Sequence, residues 1–160
     1  MGKTIKIRKA IESDAIKIAA IGACVWVDTY ATEGVSDKIA RFILSEFTEE
    51  NILKILRDKT VFVASSNVNL MGYIVLGPES NNTIEIETLY ILPKYQRAGI
   101  GSKLVQMATK LPVKSIWLSV WELNHTAIDF YSKIGFRETG ELYFDLYGDK
   151  IRNIVLEMYT

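Results

Sequence analysis

The chain has 160 residues, 49% hydrophobic and 24% charged, and its 19 basic and 19 acidic residues cancel to a net charge of zero. That is the size and balance of one ordinary soluble domain, spanning 1–160, with no net field to draw it onto nucleic acid or a membrane surface. A single cysteine, Cys24, excludes an intramolecular disulfide, and no apolar run approaches the roughly 18 residues of a membrane span. The opening MGKTIKIRKA lacks the apolar centre of a signal peptide, and Lys6 stands where myristoylation at Gly2 would want Ser or Thr. A cytoplasmic monomer or homodimer is expected.

Ile5 and Ile7 alternate with Lys6 and Arg8 in a short first strand. Ser13 is expected to cap a helix with Ile18, Ala19, Ile21, Val25 and Trp26 on its apolar stripe, where Cys24 is read as packing. Ser36 and Thr48 predict caps for two further helices. Val61–Ala64 and Leu70–Leu76 read as strands joined by a connection over 65–69, and Thr83–Ile91 as a third. A helix over about Ser102–Lys110 ends before Pro112. Ser115–Trp121 is a strand; Asn124 caps a helix with Ala127, Phe130, Tyr131 and Ile134 on one face and Gly135 at its end. Glu141–Leu146 and Ile151–Met158 close the chain around Gly148-Asp149. The order predicts an α/β fold with a mixed central sheet of about six to seven strands flanked by helices.

Two segments carry opposite charge. Asp28–Asn51 holds six acids (Asp28, Glu33, Asp37, Glu46, Glu49, Glu50) against Lys38 and Arg41, and Pro93–Ser115 holds five bases and no acid. The second opens within Leu89-Tyr90-Ile91-Leu92-Pro93-Lys94-Tyr95-Gln96-Arg97-Ala98-Gly99-Ile100-Gly101, a strand, a glycine-containing loop and a helix N-terminus. Backbone N–H groups there form an anion site aided by the helix dipole. It has no Gly-Lys-Ser/Thr for a β/γ-phosphate and Mg²⁺, and no first-strand G-x-G-x-x-G follows the dinucleotide pattern.

The loop Gln/Arg-x-x-Gly-x-Gly resembles the acetyl-CoA loop of GCN5-related N-acetyltransferases, with Ala98 where many relatives have Gly. Asn124-x-x-Ala127-x-x-Phe130-Tyr131-x-x-x-Gly135-Phe136 resembles the second motif of the same family. The resemblance implies the GNAT fold and acetyl-CoA as cosubstrate. It assigns Leu89, Tyr90 and Ile91 to the pantetheine arm and Gln96, Arg97, Ala98, Gly99, Ile100, Gly101 and Ser102 to the pyrophosphate. Asn124 would contact the cofactor arm, Tyr131 would protonate the departing thiolate, and Lys133 is a candidate for a cofactor phosphate. No metal is expected.

A lysine-like amine must lose a proton before it attacks, at a cost of about 4.6 kcal/mol at pH 7, so a general base is needed. Strand parity places Glu85 and Glu87 on one face with Leu89 and Ile91, and Glu87 is the first candidate base. Backbone N–H groups of Leu89–Ile91 would polarise the thioester carbonyl. His125, the only histidine, is expected to face solvent.

Ile116-Trp117-Leu118-x-Val120-Trp121-Glu122-x-Asn124, Asp28-Thr29-Tyr30, and Glu85-Ile86-Glu87 before Tyr90-Ile91 resemble PaiA-type spermidine/spermine acetyltransferases. That likeness implies a small-molecule amine acceptor, a polyamine, with Asp28, Tyr30, Glu33 and Glu85 binding it. Other small amines, protein N-termini or lysines, and a non-catalytic CoA-binding regulatory module are the alternatives.

Overall fold

A computed structural model describes residues 4–160, so the reading at Gly2 lies outside them. In chain order the elements are β1 (Lys6–Lys9), α1 (Ala15–Tyr30), α2 (Asp37–Glu46), α3 (Glu49–Asp58), β2 (Thr60–Ser66), β3 (Asn69–Leu76), β4 (Thr83–Ile91), α4 (Ile100–Thr109), β5 (Ser115–Trp121), α5 (His125–Lys133), β6 (Arg137–Leu146) and β7 (Asp149–Tyr159). The seven strands form one sheet in the order β1-β2-β3-β4-β5-β7-β6. Every neighbouring pair is antiparallel except β4 and β5. The expected mixed sheet flanked by helices is therefore present.

Its two faces carry separate cores. On one face α4 and α5 cover Ile74, Leu76, Ile84, Ile86, Ile116 and Leu118. On the other, α1 and α3 cover Val61, Val63, Tyr73 and Val75. A third cluster lies on that second face, where Trp26 and Ile43 meet Leu146 and, at its edge, Phe144 and Ile151.

Ser36 and Thr48 accept from the amides of Ile39 and Asn51 and so begin α2 and α3 as the sequence predicts. Ser13 does not begin α1. The cap position belongs to Asp14, which is fully buried and held by two bonds from Arg8 of β1 (2.7 and 3.0 Å) and one from the amide of Ile11 (2.9 Å). A partner on the preceding strand, β1, decides that position.

Cys24 is exposed rather than packed. Ala15, Ile18, Gly22 and Val25 fix the buried side of α1, and at 100° per residue Cys24 falls on the opposite side. The 65–69 connection shrinks to a turn at Asn67-Val68, with Asn67 left-handed (φ 55°). β6 begins at Arg137, earlier than Glu141, because its exposed residues lack the apolar alternation that marks a strand in sequence.

Candidate active site

β4 and β5 run parallel and pair at Thr83–Ser115, Ile84–Ile116 and Glu85–Trp117, and then part. Beyond that point β4 bonds only to β3 and β5 only to β7. Each strand thus presents a free backbone edge to the gap. From Ile86 to Ile91 that edge is about 17 Å long, at roughly 3.3 Å per residue. An extended chain bearing amides could lie along it and pair as an extra strand would.

The wide end of the gap leads into the loop before α4. None of the amides from Arg97 to Ser102 donates to an acceptor within the described residues; the first helical bond is Lys103 N–H to Gly99 O, 3.2 Å. Arg97 (φ 64°) and Gly99 (φ 79°) are both left-handed, which turns neighbouring N–H groups inward as a nest. Gln96 braces the loop by donating from Nε2 to Ile91 O, 3.1 Å. A β-carbon on Gly101 would stand 3.1 Å from the Phe130 ring, so α4 and α5 meet closely here. Consecutive free amides at a helix start, with Arg97 and Lys103 beside them, suit a diphosphate.

At the narrow end the register shifts: Val75 faces Thr88 but Leu76 faces Ile86, leaving Glu87 as a bulged residue. This overturns the expectation that Glu85 and Glu87 share a face with Leu89 and Ile91. The extra residue flips the parity. Ile84, Ile86, Leu89 and Ile91 pack toward α4 and α5, while Tyr90 joins the core under α1. Glu85 and Glu87 lie on that second face.

Lys59, which ends α3, donates Nζ to Glu87 Oε2, and the Glu87 side chain is a quarter exposed. Among the described residues Glu85 has no such partner. Burial pushes its carboxyl above the usual range, the Glu87 charge adds to the rise, and Lys59 offsets part of it.

Tyr131 projects from α5 into the core between Phe130 (5.1 Å) and Phe136 (5.4 Å) and is 7% exposed. Burial raises its phenol well above 10, so it stays protonated at neutral pH. Tyr90 is raised likewise by burial and by the charges of its tyrosine neighbours. On the α1 side the gap is roofed by stacked rings. Trp26 stacks on Tyr30 (4.0 Å) and Tyr30 on Trp121 of β5 (5.1 Å). This stack links the helix over β4 to the strand across the gap.

The other expected site residues divide. Asn124 accepts from Ala127 N–H (3.2 Å) as the cap of α5, and Lys133 and His125 are exposed on that helix. Asp28 is exposed on the side of α1 away from Trp26, and Glu33 is exposed in the link to α2. The acidic segment does not converge on the gap. Asp37, Glu49 and Glu50 open helices, where they complement the dipole, and Glu50 pairs with Lys54.

Sequence reasoning gave no site role to Lys59, Trp26 or Trp121, and did not single out Asn153. The spacing of Trp26 and Tyr30, one helical turn apart, signals a shared face. Asn153 interrupts the apolar parity of Ile151 and Val155. Cavities of about 320 and 210 Å³ lie elsewhere, beside Tyr95 and beside Lys59–Pro78. No group of three His, Cys, Asp or Glu side chains with metal-holding geometry exists among the described residues, and no described helix is long and apolar enough to cross a membrane.

Residues 25–136 match the family described as Acetyltransferase (GNAT) family. An N-acetyltransferase of Lactobacillus delbrueckii subsp. lactis is 26% identical over 96% of both chains. The spermine/spermidine N(1)-acetyltransferase of Bacillus subtilis is 32% identical over 52% of this chain and 61% of its own. Among solved structures, the PaiA N-acetyltransferase of Thermoplasma acidophilum in complex with coenzyme A superposes with a TM-score of 0.83 at 24% identity, covering 98% of this chain and 99% of that one.

Proposed function

The chain belongs to the acetyltransferase (GNAT) family, and we propose that it transfers acetyl from acetyl-coenzyme A to the primary amine of a small molecule, a polyamine before others. The observation that carries the donor half is the run of unpaired amides from Arg97 to Ser102 opening onto the free edge of β4. That pairing of a diphosphate cradle with an amide-binding edge fits the two polar parts of the cofactor. Leu89–Ile91 would hold the pantetheine arm, which then ends near Glu85 and Glu87. Bound acetyl-coenzyme A supplies an acetyl thioester there.

Each residue then has a task. Glu85 accepts the proton of the incoming ammonium, directly or through water, so that the nitrogen can attack the carbonyl carbon. Glu87, tied to Lys59, keeps a negative charge beside Glu85 and so raises its basicity. Sequence reasoning put Glu87 first; the free carboxyl of Glu85 suits the task better. As the N–C bond forms and the C–S bond breaks, Tyr131 gives its proton to sulfur. Free N–H groups on β4 draw charge from the carbonyl oxygen.

Support for a polyamine comes from the spermine/spermidine relative, from the paired carboxylates, and from the aromatic roof, whose rings attract cations. A cytoplasmic location, expected from the single cysteine, belongs to the same reading.

Two measurements test it. Gly99→Asp and Gly101→Asp set a carboxylate against the diphosphate, and calorimetry should show CoA affinity lowered at least about tenfold in each, a change of about 1.4 kcal/mol. Unchanged affinity in both removes the donor assignment. A turnover screen over spermidine, spermine, n-butylamine and a lysine peptide should rank the polyamines first. A peptide preference replaces the acceptor.

A further inference from the structure

Asn153 Oδ1 is sealed from solvent and accepts no hydrogen bond, the sole such side-chain atom among the described residues. Buried acceptors are almost always satisfied, and one left open costs folding energy unless something fills it. Its position is informative. Asn153 of β7 faces Trp121 of β5 on one side and Leu142 of β6 on the other. Cross-strand partners share a face, so Asn153 lies on the side of the sheet where Tyr30 stacks on Trp121. The sealed oxygen therefore borders the aromatic roof of the gap. Its neighbour Arg152 points to the opposite face and is held there by Glu122 (2.9 Å) and Glu141 (2.7 Å), so it does not serve that oxygen.

Distance then separates two ends of a substrate. Glu85 faces Trp117, four residues before Trp121 on β5. Four residues of strand and two strand spacings put the Cα atoms of Glu85 and Asn153 about 16 Å apart. The two side chains take up several ångströms of that, leaving a span near 10 Å. A triamine such as spermidine has nine bonds between its terminal nitrogens, about 11 Å when extended at roughly 1.2 Å per bond. The group that meets Asn153 is thus too far from Glu85 to be the nitrogen that reacts.

We propose that Asn153, walled by Trp121 and Tyr30, holds the far ammonium of an elongated di- or triamine while the near nitrogen is acetylated beside Glu85. The inference rests on the amine-acceptor reading above and makes Asn153 a specificity residue for it. Binding must open the cover over Oδ1, which then accepts one N–H of the cation, and the rings favour a cation over a neutral donor.

Asn153→Leu keeps the volume and removes the oxygen, and replacing an unsatisfied group by an apolar one does not cost stability. For spermidine, kcat/KM should fall at least about tenfold, the scale of one hydrogen bond to a charged group. n-Butylamine has no second nitrogen, so its kcat/KM should hold, as should the KM for acetyl-CoA. Asn153→Asp restores an acceptor oxygen and should restore spermidine turnover. Equal losses for both amines, or a loss in Asn153→Asp matching that in Asn153→Leu, overturn the proposal. So does unchanged turnover of both amines in Asn153→Leu with a raised melting temperature, and in either case the acetyltransferase reading stands. Should the wild type bind CoA yet acetylate neither amine, both readings fall.

Discussion

Between β1 and β4 the strands are paired along most of their lengths, whereas β4 and β5 share three residue pairs and then separate. The first region is closed on both faces by α1, α3 and α4. The second leaves backbone edges and a loop of amides unbonded among the described residues, and one strand beyond it, on β7, an asparagine oxygen lacks a donor. Unpaired polar groups are costly in a fold, and here they gather along one seam. Stability is concentrated in the paired region, and binding capacity in the seam where pairing was given up. Substitutions should separate along the same line.

The largest effect should come from the seam. Tyr131→Phe keeps the ring between Phe130 and Phe136 and removes only the hydroxyl. Turnover should fall about 10²–10⁴-fold, the range for a lost general acid, with the melting temperature little changed. Near-normal turnover would return Tyr131 to a packing role and move the acid elsewhere in the gap.

The closed region should respond in the opposite sense. Asp14→Ala strands Arg8 and frees the Ile11 amide. Breaking a buried ion pair costs about 3–5 kcal/mol, and the partial exposure of Arg8 points to the low end, about 3 kcal/mol. The chain should melt roughly 6–12 °C lower, with kcat intact at a permissive temperature. Burial alone would raise the Asp14 carboxyl, but its bonds to Arg8 and Ile11 and the charges of Arg8 and Lys17 more than reverse that. Its folded value lies below the unfolded one, so its contribution is present above the unfolded value, near 4, and is lost as pH falls through the folded one. The stability gap between wild type and Asp14→Ala should therefore narrow in acid; a gap independent of pH denies the ion pair its part.

The same division governs what can be read from sequence. Local chemistry was legible: Ser36, Thr48 and Asn124 cap their helices, Gly135 is left-handed at the end of α5, and both loop motifs sit where strand gives way to helix. Long-range register was not. One bulged residue at Glu87, set by pairing with β3, moved two carboxylates across the sheet. Asp14 displaced Ser13 because Arg8, six residues earlier on β1, holds its carboxylate, a contact outside the capping pattern. The Tyr30–Trp121 stack joins residues 91 positions apart, and no periodicity announces it. Three of the acids in the acidic segment serve two local helix starts, those of α2 and α3, rather than a common site.

The smallest effect should sharpen the seam itself, by telling Glu85 from Glu87. A general base works when deprotonated, so the acid limb of kcat/KM follows its carboxyl. Burial and then the Glu87 charge raise Glu85, while Lys59 lowers it. Glu87→Gln removes a charge that raises Glu85, so the limb should move to lower pH. That variant leaves Lys59 unpaired, which lowers Glu85 further and adds to the shift. Lys59→Met removes a charge that lowers Glu85, so the limb should move to higher pH. Glu85→Gln should abolish the limb and reduce turnover by about 10² or more. If Glu87 were the base, the two glutamate variants would exchange roles. Glu87→Gln would then erase the limb, and Glu85→Gln would only displace it. The paired region has no part in this titration, so Asp14→Ala should leave the limb where it is.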